Sequence, residues 1–259
     1  MSVSRAPMAV RAVPEPGAAG ALRVPGPHAW PEGRDVHVWS IDLAAPAAGP
    51  SGWLDARELE RARRFVYADD ARRYVHAHVA LRAILGAYLG RDPAALDFVE
   101  QELGKPRLLQ APQDRYFNLS HSKDMALLAL GVAGELGVDI EAVRDDLPGE
   151  ELASAVLCEA ELEQLGALPE GERAQPFVAC WTRKEACLKA LGLGLNLEPR
   201  TLRVGFDTAR MRLSAGGREL EVEALPARAG YRAAVAALGG LGEVRLFEFD
   251  PDGLSAAEV

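Results

Sequence analysis

The chain has 259 residues, 49% of them hydrophobic, and a formal net charge of −9. That length suits one large domain or two modest ones with a sizeable core. The acidic balance argues against general nucleic-acid binding, and no apolar run approaches the ~20 residues needed to cross a bilayer.

In chain order, residues 1–34 are rich in Ala, Pro and Gly, with Pro7, Pro14, Pro16, Pro25, Pro27 and Pro31 opposing regular structure, and read as a flexible extension. They lack the charged-then-apolar pattern of a secretory signal. Asp35 to Leu43 alternates and predicts the first strand. Helices are expected over 55–65 and 70–89, the second burying Leu81, Leu85 and Tyr88 on one stripe. Between Arg57 and Arg82 seven arginines face four acids, a local excess of three positive charges in an acidic chain. Solvated salt-bridged helices would explain this, as would a cradle for phosphate groups. Beyond Gly104-Lys105-Pro106, a strand is expected over 116–119, then a polar turn Ser120-His121-Ser122, then strands over 126–130 and 136–143. Helices follow near 150–165 and 175–191, and strands near 202–206, 219–225, 231–237 and 244–249. Recurring strands and helices in both halves suggest an α/β or α+β protein of two lobes, 35–133 and 134–259. Cys158, Cys180 and Cys187 leave an odd thiol and no paired metal spacing. Buried thiols in a reducing cytoplasm are the expectation.

Three stretches carry chemistry. In Trp181-Thr182-Arg183-Lys184-Glu185-Ala186-Cys187-Leu188-Lys189, a helix puts Glu185 and Lys189 on one face. That spacing also makes an ordinary surface ion pair, worth about 0.3 kcal/mol. In Gly137-Val138-Asp139-Ile140-Glu141, a strand sends Val138 and Ile140 to the core and projects Asp139 and Glu141 together, Cα atoms roughly 6.6 Å apart. Two carboxylates that close favour a bound cation such as Mg²⁺, although a solvated edge strand also tolerates acids. In Phe117-Asn118-Leu119-Ser120-His121-Ser122, hydroxyls, imidazole and backbone N–H groups can cradle phosphate oxygens. Adjacent strand residues point apart, so Ser120 and His121 do not make a nucleophile–base dyad.

Together with Gly104-Lys105-Pro106, Arg61 to Phe65, Gly192-Leu193-Gly194-Leu195 and Gly230 to Val235, these motifs resemble, in order, the surfactin-type 4′-phosphopantetheinyl transferases over roughly residues 35 to 250. The resemblance implies an α+β pseudo-two-fold monomer, each lobe a small, mainly antiparallel sheet packed on a long helix. It implies coenzyme A and Mg²⁺, with Mn²⁺ as an alternative, held between the lobes. Asp139, Glu141 and Glu185 match the family's metal carboxylates. Lys189 matches the pyrophosphate lysine, and Arg61, Gly104, Lys105, Asn118, Ser120 and His121 match coenzyme A contacts, with Arg73 as a helper. The implied reaction is attack by a serine of an acyl or peptidyl carrier protein on coenzyme A, with Glu185 as base and Lys189 and His121 assisting. Glu58 departs from relatives that carry lysine there. Two rival readings are a metal-dependent phosphodiesterase or nuclease, disfavoured by the charge balance, and a noncatalytic coenzyme A module, which would not need all three carboxylates.

Overall fold

Alternating apolar residues form strand β1 (Val36–Asp42) at the position that alternation predicts. In the computed structural model, residues 29–44, 51–101, 104–109, 111–112, 114–144, 146–192, 197–206 and 210–250 are described. Residues 1–28 of the expected extension lie outside them, as do Leu193, Gly194 and Leu195. Asp55 and Glu58 each accept the other's backbone N–H, a reciprocal cap that starts helix α1 (Ala56–Arg63). Helix α2 (Ala68–Leu89) ends at Gly90, whose φ of +60° a side chain would resist. A small hairpin, β2 (Phe98–Glu100) and β3 (Pro106–Leu108), precedes β4 (Tyr116–Ser122), β5 (Met125–Gly131) and β6 (Leu136–Ala142).

The single helix expected over 150–165 is two, α3 (Glu150–Val156) and α4 (Glu159–Gly166). The break comes where the Cys158 N–H donates to the Glu161 carboxylate, which opens the second helix. Helix α5 (Ala174–Leu191) matches its prediction closely. The expected strand at 202–206 does not form, because the N–H groups of Val204 and Gly205 donate to Glu161 instead of to a neighbouring strand. Strands β7 (Arg210–Ala215), β8 (Arg218–Leu225), β9 (Tyr231–Leu238) and β10 (Val244–Phe249) follow.

Two four-stranded sheets result, ordered β10-β1-β5-β4 and β6-β9-β8-β7. All pairings are antiparallel except that of β10 with β1. The last strand thus edges the sheet built otherwise from the first half of the chain. Helix α2 covers the outer face of the first sheet, its Leu81, Ile84 and Leu85 meeting Trp39, Leu128 and Leu130. Helix α5 covers the second, with Phe177 and Ala186 against Val222, Ala234 and Ala236. Between the sheets Val36, Val38 and Leu127 meet Val138, Ile140 and Val235. The order of layers is therefore helix, sheet, sheet, helix, an α+β fold in which each sheet rests on one long helix.

The two sheets meet where β4 and β6 run side by side, and polar side chains on alternate β4 residues join them. The Asn118 Oδ1 accepts the Val138 N–H at 2.8 Å. The Ser120 hydroxyl donates to Asp139 Oδ1 at 2.8 Å, and that of Ser122 to Glu141 Oε2 at 2.7 Å. Ser120-His121-Ser122 is therefore strand rather than the expected polar turn: the hydroxyls face β6, which satisfies them.

Candidate active site

Strand alternation and helix period together build a recess of about 410 Å³ at this junction. Ser120 and His121 come from β4, Asp139 and Glu141 from β6, and Trp181, Glu185 and Lys189 from α5. The face of α5 that carries them is fixed by close approach to β6. A Cβ on Gly137 would lie 2.2 Å from the Ala186 carbonyl oxygen and 2.6 Å from the Ala190 nitrogen, so only glycine lets the backbones approach this far. Trp181 braces the wall, edge-on to Phe177 with ring centroids 5.5 Å apart.

The Lys189 ammonium lies 2.6 Å from Asp139 Oδ1, 3.0 Å from the Ser120 Oγ and 3.2 Å from the Val138 carbonyl oxygen. Lys189 thus makes a long-range contact into β6 in place of the ordinary Glu185–Lys189 surface pair that the spacing also allowed. The other Asp139 oxygen, Oδ2, is buried without a hydrogen-bond partner. Burial raises the pKa of Glu185, and the Asp139 charge adds to the rise against the pull of Lys189. Glu141 is raised mainly by burial too, with the Ser122 hydrogen bond opposing and the Asp139 charge adding. Such carboxylates are energetically poised for a cation or proton. Among the described residues no three His, Cys, Asp or Glu side chains are drawn together as a ready-made metal cage. The hard oxygen donors and the orphaned Asp139 Oδ2 nevertheless suit Mg²⁺. His121 stands at the open edge of the recess, its pKa lowered by partial desolvation and by the Lys189 and Arg61 cations.

The remaining predicted site residues are elsewhere. Asn118 is buried and holds β6. Gly104 turns the β2–β3 hairpin at φ +82°, and Lys105 reaches back from it to Glu135 Oε2 at 2.6 Å, the Leu136 carbonyl at 2.8 Å and the Lys189 carbonyl at 3.0 Å. In this arrangement Lys105 ties the hairpin to the end of α5, its side chain only 10% exposed. Arg61 lies over the Tyr74 ring, 5.8 Å from its centroid, and lines a separate groove of about 840 Å³ with Arg57, Arg64 and Phe65. Arg73 is held by Asp124 at 2.8 Å and Asp70 at 3.1 Å.

Sequence reasoning missed two ion pairs that hold the walls. Glu58 neutralises the fully buried Arg82 at 2.7 Å, which accounts for an acid at that position. Lys184, one residue before Glu185, is buried against Glu161 at 2.6 Å. A lysine facing the apolar side of a helix was the available signal.

Residues 135–236, which contain β6, α5 and β9, match the 4′-phosphopantetheinyl transferase superfamily, and residues 51–132 match the 4′-phosphopantetheinyl transferase N-terminal family. The 4′-phosphopantetheinyl transferase HetI of Nostoc is 37% identical over 166 residues, 62% of this chain and 70% of the relative. The chain belongs to the 4′-phosphopantetheinyl transferase superfamily. Two further transferases of that name are similar over shorter stretches. Sfp of Bacillus subtilis is 30% identical over 145 residues, 56% of this chain and 63% of the relative. AcpT of Escherichia coli is 37% identical over 115 residues, 44% of this chain and 56% of the relative. Both junction strands and α5 lie inside the two matched regions, so the recess is assembled from both parts of the 4′-phosphopantetheinyl transferase match.

Proposed function

We propose that the protein transfers 4′-phosphopantetheine from coenzyme A to a serine of an acyl or peptidyl carrier protein and releases 3′,5′-ADP. Family membership supports the reading, and one observation carries it: Asp139, Glu141, Glu185 and Lys189 converge, from a strand and a helix, on a single recess edged by His121. Asp139, Glu141 and Glu185 would hold Mg²⁺ or Mn²⁺, which when bound supplies positive charge to the pyrophosphate oxygens.

The carrier serine Oγ forms a bond to the β-phosphorus as the bond from that phosphorus to the oxygen bridging to 3′,5′-ADP breaks. Glu185 takes the serine proton, directly or through water; burial raises its pKa above the ordinary carboxylate value, which makes it a stronger base. Lys189, held on Asp139, presents its charge to the leaving phosphate. His121 gains a proton more readily once a phosphate offsets the neighbouring cations that now depress its pKa. Arg61 and its groove extend the positive field towards the nucleotide. The nucleophile comes with the partner, in keeping with the absence of a Ser–His dyad at Ser120-His121.

Lobes of 35–133 and 134–259, with the metal carboxylates on the second and β10 reaching back to the first, would act as one monomer in the cytoplasm. Neither nucleic acid nor membrane is assigned as a partner. Among the described residues no helix is long and apolar enough to cross a membrane. The test is incubation with coenzyme A, Mg²⁺ and several apo carrier proteins, followed by intact mass. Gain of one phosphopantetheine group is expected; none on any carrier refutes the reading.

A further inference from the structure

Resting on that reading, we infer that Arg232 is the recognition residue for the acceptor protein, binding an acidic side chain close to the acceptor serine. In the pairing of β6 with β9, Arg232 stands directly opposite Glu141. Such pairs place Cα atoms roughly 5 Å apart with both side chains on one face. That face looks onto α5, since Ala234 and Ala236, two and four residues on, pack in the α5 core. Glu141 lines the recess, while Arg232 lines a second groove, of about 450 Å³, with Gln175, Pro176, Ala179, Phe206 and Glu172. The two hollows therefore adjoin across one cross-strand pair, along the same helix.

The polarity of the site gives this groove its occupant. His121 and the Arg61 groove lie on the β4 side of the recess, where the nucleotide is drawn. The β9 side is left for whatever brings the hydroxyl. Half-buried Arg232 is held in place by neutral oxygens, the Tyr231 carbonyl at 2.7 Å and the Gln175 Oε1. Among the described residues no carboxylate lies within ion-pair distance of it, although Glu141 is its register partner. Two bonds leave three of its five N–H donors, in a planar fork suited to a carboxylate. In a chain of net charge −9, a fixed guanidinium beside the chemistry is where an acidic partner gains most. Pro176 and Phe206 supply an apolar floor for the backbone around that acid.

The experiment has two readouts. Fluorescently labelled apo acyl carrier protein is titrated with the full-length enzyme without coenzyme A, and steady-state transfer is measured with each substrate varied. Arg232→Ala should weaken carrier binding about tenfold and raise the KM for carrier by a similar factor, with the KM for coenzyme A unmoved. Arg232→Lys should lose less. Arg232→Glu should be rescued by a carrier in which one acid flanking the serine is changed to lysine. Wild-type carrier affinity in Arg232→Ala, a rise confined to the KM for coenzyme A, which would place the pantetheine arm in the groove, or no rescue by any reversed carrier would each overturn the assignment. Carrier that binds through Arg232 but is never modified would instead refute the transfer reaction and leave the docking role standing.

Discussion

Asp139 is divided between two duties: one oxygen holds Lys189 and Ser120, and the other is buried without a partner. Replacing it removes the pivot of the recess, and replacing Glu185 removes the base that we propose. Asp139→Ala and Glu185→Ala should each lower the rate of transfer about 100-fold or more in the mass assay, with unchanged circular dichroism. Near wild-type turnover in either variant would remove that residue from the site. A different result is expected one residue earlier. Lys184→Met leaves Glu161 buried without its cation, and should cost about 3–5 kcal/mol in chemical denaturation. Pairing it with Glu161→Gln should recover part of that loss. These neighbours show what a one-letter motif conceals: Lys184, Glu185 and Lys189 are all charged, yet only the last two line the recess.

At the level of elements, the contact of β6 with α5 decides whether the carboxylates and Lys189 share one space. Gly137→Ala puts a methyl group into the α5 backbone and should destabilise the fold by about 2 kcal/mol, seen as a lower denaturation midpoint. It should also reduce transfer in the remaining folded protein, because Lys189 shifts with its helix. Most elements were legible in the sequence, β6 by its alternation and α5 by its unbroken length and the Gly192 that stops it. Others were not, the β2–β3 hairpin and the break between α3 and α4 among them, and three cases show the physical reason. Ser120 and Ser122 read as a turn because their partners, Asp139 and Glu141, are nineteen residues away. The strand expected at 202–206 had its N–H groups claimed by a distant carboxylate. Strand β7 does alternate, with Arg210, Arg212 and Ser214 exposed against Met211, Leu213 and Ala215, but it is a short strand at the sheet edge whose two larger apolar residues are only half-buried, so its apolar signal is weak. For the site, residue types identified the recess lining, but not that Lys105 and Asn118 are occupied in holding elements together.

For the whole molecule, several buried groups make stability depend on acidity. Burial lowers the pKa of His37 to about 4, with Arg245 adding to the effect, and burial likewise lowers His78 to about 4. Both favour the neutral ring when folded, so their contribution is complete above the ordinary histidine value near 6.5 and fades as pH falls through 4. Burial would raise Glu161, but Lys184 and the Cys158 and Gly205 N–H groups outweigh it and hold the carboxyl at about 2. Its contribution is complete above 4.5 and is lost towards 2. Denaturation midpoints should therefore fall from about pH 6 downwards, each histidine accounting for on the order of 2 kcal/mol. A midpoint unchanged between pH 7 and pH 4 would contradict this. The placement of β10 beside β1 also bears on how the protein is made. The first sheet has its outer strand only when residues 244–249 have left the ribosome. Until then β1 presents an unpaired edge, so the first sheet is finished only after every strand of the second has been made.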